Sequence, residues 1–514
     1  MLGFRRLRPR ISLAFACPLF QLQTMFLRST SCVVLAWVLC APLAGHAAER
    51  NWWPFKVERE TQVGRPPAWN AFGPFAFYQP LGDGRTAEGL RPFYVQRHRT
   101  TGEPEGGTVL YPLIRWEQDP QGHHWTFFNL IHHRRVSTPD GAANLKAFEI
   151  WPFYLSRQTG EPESSYRAVF PLYGDVRNRF GNDRWKWVLF PFYSRFEEND
   201  VATITAPWPF VKVLRGDGNR GVEIWPLAGE RGKPGVYRSR FALWPLLYRH
   251  ETNLSEPEPS LQAGFLPFYA IDRKPGYRSE TYGWPFWGYV DRTEPYQYHA
   301  RHYFWPFWVQ GRGDQRSVNR WAPFYTHSKI RDAEKRWILW PLWREEDWID
   351  SERAHERRQL LFFLYHSTVQ RSRANPEAAP ATKRHYWPLA STWDNGAGRR
   401  QVQVLSPLEV FFPHNEHIRL SWSPFFAIYR YDQTAPGELR HSLLWDAVTY
   451  RRSATTEQKT FQLGPLLAVE SGPDGRRFSL FNGLIGLGRT STTGWRFFTR
   501  GRAPSLSSDP VSSP

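Results

Sequence analysis

A proline set between aromatic residues recurs along this chain at a nearly fixed interval, and that recurrence constrains the fold more than any other feature. The fullest copy is Arg184-Trp185-Lys186-Trp187-Val188-Leu189-Phe190-Pro191-Phe192-Tyr193-Ser194-Arg195. Shorter versions read Trp151-Pro152-Phe153, Trp244-Pro245, Trp284-Pro285, Trp305-Pro306 and Trp340-Pro341. Trp-Pro occurs nine times, whereas 26 Trp and 43 Pro placed at random in 514 residues would meet about twice. Anchored on the motif proline or its substitute, 23 units run from Pro54 to Asn482, a mean spacing of about 19.5 residues. Asn129, Phe363, Asp446 and Asn482 stand in for the proline, and the last few units are the most degenerate. No break divides the array, so residues 48–502 are expected to form a single β-repeat domain.

Helix is disfavoured throughout, because proline falls inside each aromatic segment and no long apolar stripe of period 3.6 is present. The expectation is an all-β chain with no helix longer than about two turns after Ala48. Turn chemistry such as Gly216-Asp217-Gly218-Asn219 and Gly232-Lys233-Pro234-Gly235 separates the aromatic segments. The predicted architecture is a repetitive antiparallel meander of about 23 strand units, each strand about ten residues long, closing into a large barrel. Longer interruptions at 251–260 and 369–383 read as mobile loops.

One predicted face, Trp185, Trp187, Leu189, Pro191 and Tyr193, is an apolar band of the kind that faces lipid. The other face is apolar at mid-strand too, and a proline at mid-strand removes a ladder hydrogen bond. Both features count against a water-filled barrel. They leave a two-layered soluble sheet, or a solenoid with about 20 residues per coil, as competing arrangements.

Residues 1–47 read as a signal peptide whose true start is Met25, with an apolar run from Cys32 to Cys40 and the small-residue exit Gly45-His46-Ala47. All three cysteines and both methionines precede Ala48. The mature chain is therefore excluded from disulfide scaffolds, thiol catalysis and thiolate metal sites. Removing the five presequence arginines from the formal +18 leaves +13. Those charges alternate in sign, as in Arg344-Glu345-Glu346-Asp347, so no nucleic-acid partner is expected. A Ser/Pro tail, 503–514, is expected to be disordered.

Candidate chemistry is sparse. His123, His124, His132 and His133 flank one aromatic segment, where a hairpin could gather imidazoles for a metal, but neighbours on a strand point to opposite faces. Arg215-Gly216-Asp217 and Arg312-Gly313-Asp314 fall where the array needs turns. Gly483, Gly486 and Gly488 form no phosphate-cradling loop, and no cofactor motif is present. The repeat-core residues Trp151, Pro152, Phe153, Phe190, Pro191, Phe192, Trp244, Pro245, Trp284, Pro285, Trp305, Pro306, Trp340 and Pro341 are read as structural.

The chain thus reads as a non-enzymatic bacterial cell-envelope protein, an exported barrel associated with the outer membrane. The rival is a soluble periplasmic or surface protein that binds an anionic glycan or lipid head group through aromatic and Arg rows. A hydrolase built on the same sheet is third.

Overall fold

The computed structural model describes residues 49–59, 66–137, 144–473, 475–490 and 494–499. The expected signal peptide and the Ser/Pro tail lie outside these residues. Forty-five strands, from β1 (Glu49–Trp52) to β45 (Arg496–Thr499), form one antiparallel sheet in which each strand pairs with its neighbours in the chain. Helix among the described residues is confined to α1 (Glu416–Ser421), α2 (Ser423–Phe426) and a single 3-10 turn, within the two-turn limit expected from the sequence.

The strands are shorter and twice as numerous as the period predicts, at four to eight residues each. The reason is that the motif is a turn. Leu189, Phe190, Pro191 and Phe192 reverse the chain between β15 (Asn182–Val188) and β16 (Tyr193–Glu198), and the Phe192 N–H donates to the Leu189 carbonyl at 2.9 Å. The X-Pro bond is cis at Pro152, Pro191, Pro245, Pro285, Pro306 and Pro341, among others. Where proline is replaced, consecutive residues with positive φ make the reversal instead, as at Phe128-Asn129 and Phe481-Asn482. A proline in a turn removes no ladder bond, so the expected mid-strand defect does not exist. Most turns are tied to the next by a backbone bond, such as Trp208 N–H to Pro191 O at 2.7 Å and Trp244 N–H to Pro226 O at 2.7 Å.

The predicted lipid-facing band is overturned by the same geometry. The chain reverses at Leu189–Phe192, so Trp187 and Tyr193 lie on opposite faces. Trp187 is fully buried, packed over Gly174 beside Leu155, Ala168 and Val176. The long loops contract as well, since β22 (Leu247–Thr252) and β23 (Ser260–Phe265) reach into the first, and β34 (Tyr365–Ser372) and β35 (Ala381–Tyr386) into the second.

The predicted closure also fails. Following Cα partners from strand to strand, Asn51 leads to Val57, Asn70, Phe77, Gly89 and Val95. The same row passes through Trp187, Ser194 and Thr205, then His302, Val309 and Arg320, and ends at Ser479, Gly486 and Phe498. Apart from His302, which a register shift sets two residues inside the end of its strand, the named members sit one residue inside the strand end that meets the motif turn, so the register does not climb. Register shifts beside Arg97, His302 and Gln433 lie outward of this row. A barrel closes only when its strands tilt and their register staggers. Without stagger the sheet stays a ribbon, and β1 and β45 do not pair.

Along the long arc from β9 (Gly122–Phe127) to β36 (Ala390–Asp394) the strands make close backbone contacts mainly with their chain neighbours. The ends differ. The first strands pack against β39 (Glu438–Leu443) to β43 (Gly475–Leu480), and of the two helices inserted between β37 (Arg400–Val404) and β38 (Tyr429–Ala435), α1 covers β6 (Tyr94–His98) while Phe425 of α2 packs on Phe75.

Candidate functional site

Because consecutive turns of a meander fall on opposite edges, all the motif turns lie along one rim and all the polar turns along the other. The residue after the motif proline forms the tip. Phe153, Phe192, Phe268, Phe324 and Leu389 are each more than 60% exposed, and the preceding Trp151, Trp244, Trp284, Trp305 and Trp340 are exposed beside them. Exposed apolar side chains gathered along one edge in this way mark an interaction surface.

The strand residues flanking these turns extend the rim by one row. Trp308 pairs with Trp321, and the row runs on through Tyr325, Ile338, Trp343, Leu360, Tyr365 and Tyr386. Ring centroids in this row lie 4.6 Å apart for Trp308 and Trp321 and 5.3 Å for Tyr365 and Tyr386. Two residues further along the same strands, on the same face, the row reads Gln310, Asn319, His327, Arg336, Glu345, Arg358 and Ser367. The apolar band is therefore one strand row plus a turn, roughly 7–10 Å deep at about 3.3 Å per residue.

Charges beyond the band are mostly matched across strands. Arg336 meets Glu345 at 3.0 Å, Lys335 meets Glu346 at 3.1 Å and Arg358 meets Asp347 at 2.6 Å. The opposite rim carries tight polar turns with positive φ, including Asn199-Asp200 and Asp217-Gly218. The two Arg-Gly-Asp tripeptides run into turns of this rim.

The four histidines come together only in pairs. His123 stacks on His133 at 5.2 Å and His124 on His132 at 6.3 Å, one pair on each face of the hairpin. Burial, joined by nearby arginines, lowers the pKa of His123, His124 and His133. No group of three or more metal-ligating His, Cys, Asp or Glu side chains occurs among the described residues.

A buried polar cluster that sequence reasoning missed joins the chain ends. Arg440 bridges Glu49 at 2.6 Å and Asp446 at 2.8 Å. Asp446 accepts from the Ser442 hydroxyl at 2.6 Å and from Asn70 at 3.3 Å, while its carbonyl accepts from Asn51 at 2.7 Å. Asn482 donates to the Asn51 carbonyl at 2.9 Å. Burial alone would raise the Asp446 pKa, but Arg440, Arg59 and the Ser442 hydroxyl outweigh it and hold the carboxyl well below the usual carboxylate range. A second set fixes the helical insert. Glu416 binds Arg85 at 3.2 Å and Arg97 at 2.8 Å, Arg91 donates to the Leu420 carbonyl at 2.7 Å, and Trp422 donates to the Tyr111 carbonyl at 2.9 Å. Burial pushes His417, stacked on Tyr111, down to about 4. These groups satisfy one another across the overlap, which is the arrangement of a structural latch.

The site thus defines a repetitive all-β chain with one apolar and one polar rim. No protein-family model matches it, and no curated protein does. No helix among the described residues is long and apolar enough to cross a membrane, which says nothing about strands.

Proposed function

We propose that this is a non-enzymatic bacterial cell-envelope protein that seats its apolar rim in one leaflet of a membrane, the outer membrane in the setting its presequence implies. The observation that carries this reading is the segregation of the motif turns, with their exposed Phe, Trp and Leu side chains, to a single rim. A band of roughly 7–10 Å matches the depth at which interfacial proteins bury apolar surface, about 5–10 Å. It falls well short of the roughly 25 Å apolar band of a spanning barrel. The aromatic row with Arg and Glu two residues above it suits the boundary between acyl chains and head groups. Broad anion binding along the Arg rows is less favoured, because guanidiniums such as Arg336, Arg344 and Arg358 already face carboxylates.

The test is flotation with phosphatidylcholine vesicles, combined with tryptophan quenching by lipids brominated near to or far from the head group. Binding with quenching by the shallow bromines, lost in the triple variant Phe153→Glu, Phe192→Glu and Phe324→Glu, is the expected result. Protein that stays unbound and unquenched overturns the membrane reading in favour of a soluble protein.

A further inference from the structure

Many arginines of this sheet have no carboxylate within ion-pair distance among the described residues, and three of these, Arg292, Arg316 and Arg320, gather in one place. They surround one cavity of about 250 Å³ together with Tyr277, Tyr298 and His302. None of the three has an acidic partner within ion-pair distance among the described residues, and no carboxylate lines the cavity.

The register explains how residues so far apart in the chain meet. Tyr277, Arg292 and Tyr298 are Cα partners on β25 (Tyr277–Tyr282), β26 (Trp287–Arg292) and β27 (Tyr298–Phe304). Arg316 extends their row on β29 (Arg316–Trp321), across β28 (Trp308–Gly313). Four residues nearer the apolar rim on the same face, His302, Val309 and Arg320 form a second row. Between the two lies a row of short side chains, Val290, Ala300, Gly311 and Val318. The result is a depression with a small-residue floor and guanidiniums at both ends, the rows about 13 Å apart along the strands at about 3.3 Å per residue. Gly311 is part of the construction, since a Cβ there would lie 2.3 Å from the Tyr298 hydroxyl.

The guanidiniums are held in place before any ligand arrives. Arg316 lies over the Tyr298 ring at 4.9 Å, and Arg292 over Tyr277 and Tyr296 at 5.2 Å each. Arg292 also donates to the Tyr296 hydroxyl at 3.0 Å, and Arg320 to the Pro306 carbonyl at 3.4 Å. Stacking occupies the faces of the guanidinium planes and leaves N–H edges to donate. Three guanidiniums lining one depression that holds no carboxylate offer the N–H donors that phosphate oxygens accept.

We infer that this depression binds a phosphate-bearing anion of about diphosphate size, held by Arg292, Arg316 and Arg320. The ligand is either a free phosphate ester or the head group of an anionic lipid, and the site stands independently of the rim. The experiment is calorimetry on the full chain with inorganic pyrophosphate, beside flotation with vesicles of phosphatidylcholine alone or mixed with phosphatidate. Arg316→Gln and Arg320→Gln are made singly, with Arg312→Gln on the opposite face of the same sheet as control, and circular dichroism confirms that each variant folds.

Pyrophosphate binding weakened about tenfold or more by each pocket variant, and unchanged by Arg312→Gln, is the result expected for a free phosphate ligand. If only the added affinity for phosphatidate vesicles shows this pattern, the ligand is a lipid head group. Absence of both pyrophosphate binding and any phosphatidate preference overturns the inference. So does an equal loss in Arg312→Gln, which would reduce the effect to net charge. The Arg316→Lys variant, keeping charge but losing the fork, should restore only part of the affinity.

Discussion

The seam where the chain ends overlap and the long arc between them are built from the same hairpins but hold together differently. In the seam, Asp446, Arg440, Glu49 and Asn51 are buried between layers, and each polar group depends on a partner hundreds of residues away. In the arc, strand meets mainly neighbouring strand, and ion pairs such as Arg238 with Glu230 remain about half exposed. Loss of one group should therefore propagate across the overlap at the seam and stay local in the arc. This is the expected contrast between a packed interface and a quasi-one-dimensional array.

The largest effect is expected from Asp446→Ala. It leaves Arg440 and Arg59 buried without their main counter-charge, which costs about 3–5 kcal/mol when one partner of a buried pair is removed. Hydrogen exchange should show β1–β3 (Glu49–Ala71) and β39–β41 (Glu438–Leu463) losing protection while the arc keeps its own. Uniform loss through the arc would mean that the sheet unfolds as one unit, and the contrast would collapse. Gly174→Val comes next. A Cβ there would stand 2.1 Å from the Trp187 ring, and overpacking of this kind costs about 1–3 kcal/mol. Its exchange signature should be confined to the strands around Trp187.

Acid should act on the seam more gradually. Asp446 is held below its ordinary 3.8 in the fold, so its contribution is complete above that value. As pH falls below about 4 the unfolded chain takes up a proton that the folded Asp446 refuses, and stability declines progressively. Exchange at pH 3 against pH 6 should show the seam weakening first. The smallest effect belongs to Arg238→Gln, an exposed pair worth about 1 kcal/mol or less. Its urea midpoint should match that of the parent chain.

The period, the all-β class and the single array were legible because aromatic-proline repetition and glycine turns leave few alternatives. The halving of the strands was not. A 20-residue unit accommodates one long strand with a polar turn, or two short strands with two turns. Turn recognition leans on residues such as Asp217-Gly218, so a reversal made of Leu189, Phe190, Pro191 and Phe192 reads as strand. The seam left a faint signal, since two of the four positions that lack the motif proline, Asp446 and Asn482, are the ones that reach Asn51. Nothing local marks the arginine depression, because Arg292, Arg316 and Arg320 belong to different units and only the register brings them together. The histidines were legible as a cluster, but adjacent pairs on a strand divided them between faces.

The unchanging register has a consequence for how such a chain could have grown. Each duplicated hairpin of about 20 residues would lengthen the ribbon by two strand spacings, roughly 10 Å, without displacing any other side chain from its rim or face. The 45 strands add up to roughly 210 Å of contour, so size is set by counting copies, as on a ruler with identical graduations. The latch residues then decide which count allows the two ends to find each other.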